Sequence, residues 1–412
     1  MQGTAQGWLV LQLTDSPALL GLTGALAGVP TLFLAVVAGV MADRMDRRRL
    51  LVWGYWLLAA LSATLALLTS LGVVAFWEIA VIAFLGGVIL TVQMPASQAI
   101  ISSIVDRQLL GSAIALNSAQ YNVARIIGPS VAGLAIAAGS LAMGFWANAL
   151  ALAFVGLLIG RLPIPSSRVA GRAQAAMWGD LQDGVRHVAG DPVLRALIGL
   201  AAVPALFILP YLTFLPVYAR DILAIGAPGL GLLTGSIGVG ALSGALLVAS
   251  RRPSGGGGRL ALAGLAMIAA ALLVFAFSRV VPVSMVALAV LGASQVAYYS
   301  TTNTLLQTRV PARLRGRVHS LYVLTSIGLF PIGNLVAGAV AERTGVPIVL
   351  AVGALVTLGV VLVATLPRTL RGIESLAPPA PATAPETFPG RHASKGENGR
   401  SVPDGQQEHQ VR

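Results

Sequence analysis

Gly39-Val-Met-Ala-Asp-Arg-Met-Asp-Arg-Arg-Arg-Leu50 is a knot of charge in a chain that is otherwise almost continuous hydrocarbon. Apolar sequence flanks it on both sides for about twenty positions, the length of a bilayer span. Charge between two such runs reads as a short aqueous loop joining two membrane helices. Its arginines, Arg44, Arg47, Arg48 and Arg49, also indicate its side, because basic loops stay in the cytoplasm.

Composition agrees. Of the 412 residues 56% are hydrophobic and only 10% charged, where a soluble domain carries about 25% charge. The chain reads as an all-α polytopic membrane protein. Its apolar runs are about 20 residues long and lack the alternation of barrel strands, which are about 10 residues long. The net charge of +12 would point to nucleic acid in a soluble chain. Here the basic residues sit in loops, where topology requires them, and a nucleic-acid partner is not expected. There is no cysteine, and His187, His319, His392 and His409 are scattered. No metal site or cofactor is expected, nor a cleavable signal peptide.

Working outward from the loop, spans are expected at 1–13, 18–41, 49–70, 74–102, 109–135 and 140–161, and after a polar stretch at 194–219, 228–250, 259–277, 282–307, 316–341 and 346–366. The expected domains are an N-terminal helical half (1–161), a central cytoplasmic loop (162–193), a C-terminal helical half (194–366) and a disordered cytoplasmic tail (367–412) too poor in apolar residues to fold. With the Asp43 loop in the cytoplasm, the same side receives Arg107, Arg161, Arg168, Arg172, Arg186, Arg195, Arg251, Arg252, Arg259, Arg309, Arg313, Arg315 and Arg317. The opposite side receives only Arg220, Arg279 and Arg343, a strong positive-inside asymmetry. An internal repeat fits the same map. A shift of 205 residues carries Gly111 onto Gly316, Leu116 onto Leu321, Gly39 onto Gly244 and Gly128-Pro-Ser-Val-Ala-Gly133 onto Gly333-Asn-Leu-Val-Ala-Gly338. Two six-helix halves related by a parallel repeat enclose a path at their interface.

The Gly39–Leu50 run resembles the signature between the second and third helices of the major facilitator superfamily, departing at Asp46, where many members have Gly. Trp8-Leu-Val-Leu-Gln-Leu-Thr-Asp-Ser-Pro17, the run from Ala115-Leu-Asn-Ser118 to Gly128-Pro129, and Val310-Pro-Ala-Arg-Leu-Arg-Gly-Arg317 resemble the exporter branch that contains the enterobactin exporter. The resemblance spans residues 1 to about 366. It implies the major facilitator fold and efflux driven by a proton gradient.

The candidate site residues fall into three groups. Gly39, Asp43, Arg44, Arg47, Arg48 and Gly316 form an expected cytoplasmic latch, in which the Asp43 carboxylate meets the start of the eleventh span, since helix N-termini favour carboxylates. Asn117, Tyr121, Asn122 and Arg125 form a polar stripe on the fifth span, with Asn117, Tyr121 and Arg125 spaced i, i+4, i+8. Arg125 lies about sixteen residues into that span, too deep for easy snorkelling. With Gln93, and with Gln295, Tyr299 and Asn303 of the tenth span, these residues are expected along a substrate or coupling path. Gly128, Pro129 and Gly133 resemble an antiporter motif on the fifth span, where Pro129 kinks the helix and the glycines permit close packing. Pro204, Pro210 and Pro216 suit the seventh span to gating, and Tyr218 reads as an interfacial aromatic. No carboxylate falls near the midplane, and Glu78 and Glu342 read as outer-end residues.

The expected function is a secondary transporter, an exporter of amphipathic small molecules of drug or siderophore type. The alternatives are a nutrient importer of the same fold or a non-transporting membrane receptor. An enzyme is not expected, because no cluster of His, Asp, Glu or Ser gathers at a membrane face. A primary pump is disfavoured because no Gly-x-x-x-x-Gly-Lys-Ser/Thr loop occurs. The expected partners are the lipid bilayer, a small-molecule substrate and protons. The expected state is a monomer in the inner (plasma) membrane. The first span has 13 residues, about 20 Å at ~1.5 Å per residue, against a ~30 Å core. The chain is therefore expected to begin inside that helix, where branch members often carry an acidic residue.

Overall fold

The structure, a computed structural model, describes residues 2–105, 109, 112–113, 116–117, 120, 124, 128, 141–162, 184–250, 257–311 and 314–365. Side chains at 35–37, 39–40, 42–44, 98–99 and 101–104 lie outside that description. Among the described residues the regular structure is entirely helical. In the first half run α1 (Gln2–Thr14), α2 (Pro17–Arg44), α3 (Arg47–Leu71), α4 (Phe76–Ile104) and α5 (Leu141–Arg161). In the second run α6 (Pro192–Val203), α7 (Tyr211–Val217), α8 (Gly226–Ser250), α9 (Gly257–Phe277), α10 (Val281–Arg309), α11 (Arg315–Gly328), α12 (Phe330–Thr344) and α13 (Val346–Ala364). Among the described residues ten helical stretches are long and apolar enough to cross a membrane.

Local chemistry sets the boundaries. Ser16 caps α2 by accepting from the Leu19 N–H at 3.2 Å, with Pro17 as the first helical residue. Asp46, the departure from the family signature, caps α3 by accepting from the Arg49 N–H at 3.1 Å. Gly72 ends α3 in the left-handed region at φ 69°. Asp191 caps α6 through the N–H groups of Val193 and Leu194, at 2.8 and 3.3 Å. The expected seventh span is one continuous stretch, Pro192–Ile222, but not one regular helix. Two π-helical segments, Pro204–Ile208 and Tyr218–Ile222, flank α7, as expected where prolines remove N–H donors and force local rewinding. The eleventh span is likewise divided at Leu329 into α11 and α12, just before Pro331.

The two halves pair their helices in the same way. α2 packs on α4 and α3 on both α4 and α5; α8 packs on α10 and α9 on both α10 and α13. At the repeat-related positions 93 and 298 both side chains pack over a glycine, but they bond to different helices. Gln93 lies over Gly54 of α3 and donates to the Leu51 carbonyl at 3.1 Å. Tyr298, 205 positions later, lies over Gly264 of α9 and donates to the Leu200 carbonyl at 2.8 Å. Buried side chains such as Phe145, Leu194, Phe214 and Phe275 form the packed core. Phe33, Leu150, Leu246 and Leu362 stay more than 60% exposed, the apolar exterior a bilayer requires.

Candidate functional site: a cavity between the halves

A cavity of about 520 Å³ is lined from both halves, within the usual range for drug-sized ligands. α1 contributes Gly3, Thr4, Gln6 and Gly7, and α2 contributes Leu20, Thr23, Gly24 and Ala27. Across from them stand Leu212, Thr213, Leu215 and Pro216 of α7, Leu230, Thr234, Ile237 and Gly238 of α8, and Phe330 of α12. Ala83 and Ala124 also line it. None of these lining side chains is charged.

At one end of the interface the described helices of the two halves close on each other. α2 and α12 run against each other in antiparallel register, with Gly21 opposite Gly338, Gly24 opposite Asn334 and Gly28 opposite Pro331. A Cβ at Gly21 would lie 2.8 Å from the Gly338 Cα, so both positions require glycine for this approach. Polar contacts reinforce that end. Glu342 at the end of α12 accepts from the Ser16 hydroxyl at 2.8 Å and the Ala18 N–H at 3.0 Å. Arg220 reaches across from the second π-segment to Asp15 at 2.7 Å and donates to the Leu11 carbonyl at 2.7 Å. Asp221 braces it at 2.6 Å. Among the described residues the contact band extends as far as Leu32 against Gly328. Farther along α11, at Gly316, no described atom lies within 4 Å of where a Cβ would sit.

Arg48 and Arg309 are each held within their own half. Arg48 donates from Nε to the Ile159 carbonyl at 3.3 Å and from Nη2 to the Gly160 carbonyl. It thereby caps α5, as cations favour helix C-termini. Arg309 at the end of α10 pairs with Asp191 at the start of α6, 3.0 Å apart. Partial burial pushes the Asp191 carboxyl up, but the Arg309 guanidinium and the Val193 and Leu194 N–H groups outweigh it and hold the group below the usual carboxylate range.

Of the residues singled out from sequence, Arg47 and Arg48 are half-buried at the start of α3. Gly39, Asp43 and Arg44 belong to α2, but their side chains lie outside the described residues. Asn117 is helical and exposed, and Gly128 is helical; Tyr121, Asn122, Arg125, Pro129 and Gly133 lie outside the described residues. Gln93, Gln295, Tyr299 and Asn303 are not on the cavity wall. Gln93 is tied inside the first half. Gln295 is 6% exposed on α10. Tyr299 stands edge-on to Tyr298 with ring centroids 5.3 Å apart. Asn303 accepts from the Gln307 amide at 3.1 Å. Tyr218 is not an interfacial aromatic: it is fully buried, stacked on Phe275 at 4.2 Å and bonded to the Ala276 carbonyl at 2.9 Å.

Sequence reading missed the contacts of Asp15, Arg220 and Glu342 and the cavity position of Gln6. Asp15 and Glu342 are 327 residues apart, and only the antiparallel meeting of α2 and α12 brings their helix ends together. One signal was available: Arg220 stands among the few basic residues on the arginine-poor side.

Comparison with known proteins agrees with this architecture. The chain is 28% identical over 353 residues to the multidrug efflux pump Tap of Mycolicibacterium fortuitum, covering 82% of this chain and 84% of that one. It is 24% identical over 347 residues to the staphyloferrin A transporter of Staphylococcus aureus, covering 82% and 85%. The fold superposes on a D-xylose-proton symporter with a TM-score of 0.70 at 14% identity, covering 90% and 97% of the two chains. It superposes on the nucleoside transporter NupG with a TM-score of 0.67 at 13% identity, covering 88% and 93%. Residues 1–389 match the family described as transmembrane secretion effector. The chain is a multi-pass membrane transporter of small molecules that belongs to the transmembrane secretion effector family, within the major facilitator superfamily.

Proposed function

We propose that the chain is a proton-coupled exporter of amphipathic small molecules, working by alternating access in the plasma membrane with its arginine-rich face, central loop and tail in the cytoplasm. The observation that carries this reading is the cavity between two repeat-related halves, with a contact band across one end of their interface. Rocking about that cavity opens one end as the other closes. On this proposed orientation the closed end faces the outside. Asp15, Arg220, Ser16 and Glu342 then hold the external gate, while the Asp43 latch near Gly316 closes the cytoplasmic side in the alternate state.

Export is favoured by similarity to a multidrug efflux pump and a siderophore transporter. The absence of a nucleotide-binding loop from the sequence favours gradient coupling. As a monomer the chain already carries both halves of the path. The test is transport of Nile red, a neutral fluorescent dye. Energised everted vesicles containing the protein should accumulate dye, and an uncoupler should abolish the accumulation. Accumulation that survives the uncoupler, or dye movement only in the opposite direction, overturns the proposal.

A further inference from the structure

We infer that the cavity selects uncharged, oxygen-bearing amphiphiles, and that the Gln6 amide is the donor that recognises them. Gln6 is 8% exposed on α1, lines the cavity, and its Nε2 is buried without a hydrogen-bond partner among the described residues. An unpaired amide donor in a largely apolar wall is costly, and a ligand acceptor placed against it removes that cost. Gln6 lies eight residues from the end of α1, about 12 Å at ~1.5 Å per residue. That places it well inside a ~30 Å bilayer core, away from either headgroup layer.

The other polar groups of the wall define what the rest of the ligand meets. The Thr23 hydroxyl donates to the Leu19 carbonyl at 2.8 Å, and Thr234 donates to the Leu230 carbonyl at 2.8 Å. Thr213 donates to the Asn334 side-chain oxygen at 3.0 Å. Each of these hydroxyls has its proton committed and offers a lone pair to the cavity. Gln6 therefore supplies a donor, Thr23, Thr213 and Thr234 supply acceptors, and the Thr4 hydroxyl adds a further polar group, while Leu20, Leu212, Leu215, Ile237 and Phe330 supply apolar surface. Such a wall fits a carbonyl or ether oxygen against Gln6, with ring or chain hydrocarbon and an occasional hydroxyl elsewhere. Among the described lining residues no carboxylate is present to hold a cation.

This inference rests on the cavity being the transport site. The full-length chain in nanodiscs is tested with two radiolabelled probes of similar bulk: progesterone, neutral with two carbonyl acceptors, and tetraphenylphosphonium, a cation with no acceptor. The wild-type chain should bind progesterone saturably and more tightly than the cation. Gln6→Met, which keeps the shape and removes the donor, should weaken progesterone about tenfold, the scale of one buried hydrogen bond. Gln6→Glu should weaken progesterone as much and strengthen tetraphenylphosphonium. Undiminished progesterone binding by Gln6→Met, or tighter wild-type binding of the cation, overturns the inference. Loss of energised Nile red transport with Gln6-dependent binding intact overturns the transport reading instead.

Discussion

Arg220 satisfies three acceptors at once: the Asp15 carboxylate, the Asp221 carboxylate and the Leu11 carbonyl. Asp15 and Asp221 are 78% and 42% exposed, and exposed pairs are worth about 1 kcal/mol at most. That is roughly a fivefold change in a two-state population, enough to tune a gate without locking it. Because the chain lacks cysteine, paired reporter cysteines on α1 and α7 give an unambiguous distance. Arg220→Gln should shift the distribution toward separation at that end by roughly fivefold, without lowering expression. At the other face, the depressed Asp191 carboxyl stabilises the folded chain above the ordinary carboxylate value. That contribution disappears as pH falls through the lowered folded value. The melting-temperature advantage of wild type over Asp191→Asn should therefore persist near neutrality and vanish well below about pH 4. An advantage independent of pH would mean that the Arg309 pair does not act through charge.

At the scale of elements, the decisive crossing is α2 against α12. Its glycines let two backbones approach as no larger residue allows. Overpacking of this kind costs about 1–3 kcal/mol, and here the cost falls only on the state in which the crossing is closed. Gly21→Val should accordingly bias the protein toward opening at the Glu342 end and slow turnover, with insertion into the membrane intact. The reporter distance checks the first effect and Nile red accumulation the second. Sequence readily located these helices, because about twenty apolar residues between polar caps admit few other structures. It located the helix ends near Arg161 and Arg309 and the 205-residue offset on which the structure has Gln93 and Tyr298. It misjudged Tyr218, since a tyrosine near a span end is compatible with both headgroups and core. The Phe275 ring and Ala276 carbonyl that bury it lie more than fifty residues away.

At the scale of the whole molecule, the proposed alternating access requires that the two ends never open together. Asp43→Asn removes the carboxylate proposed to meet the α11 N-terminus in the alternate state, and should slow Nile red transport severalfold while leaving membrane insertion unchanged. Combined with Arg220→Gln it should not add independently, because in the proposed mechanism each substitution weakens one end of the same rocking equilibrium. Additive losses would mean that the two ends act on separate steps.

The sequence by itself determined that this chain spans the membrane repeatedly, that its arginines fall mostly between alternate pairs of apolar runs, and that its halves repeat. These follow from hydrocarbon length, charge placement and periodicity, which are properties of neighbouring residues. Only the tertiary structure decided that Gln6 faces the cavity while Gln93 bonds to the Leu51 carbonyl, and that Glu342 meets Ser16 across the interface. A polar side chain in a membrane helix has to find a partner or a cavity. Which of these it finds depends on the helix that lands opposite, and that is set by packing across hundreds of residues.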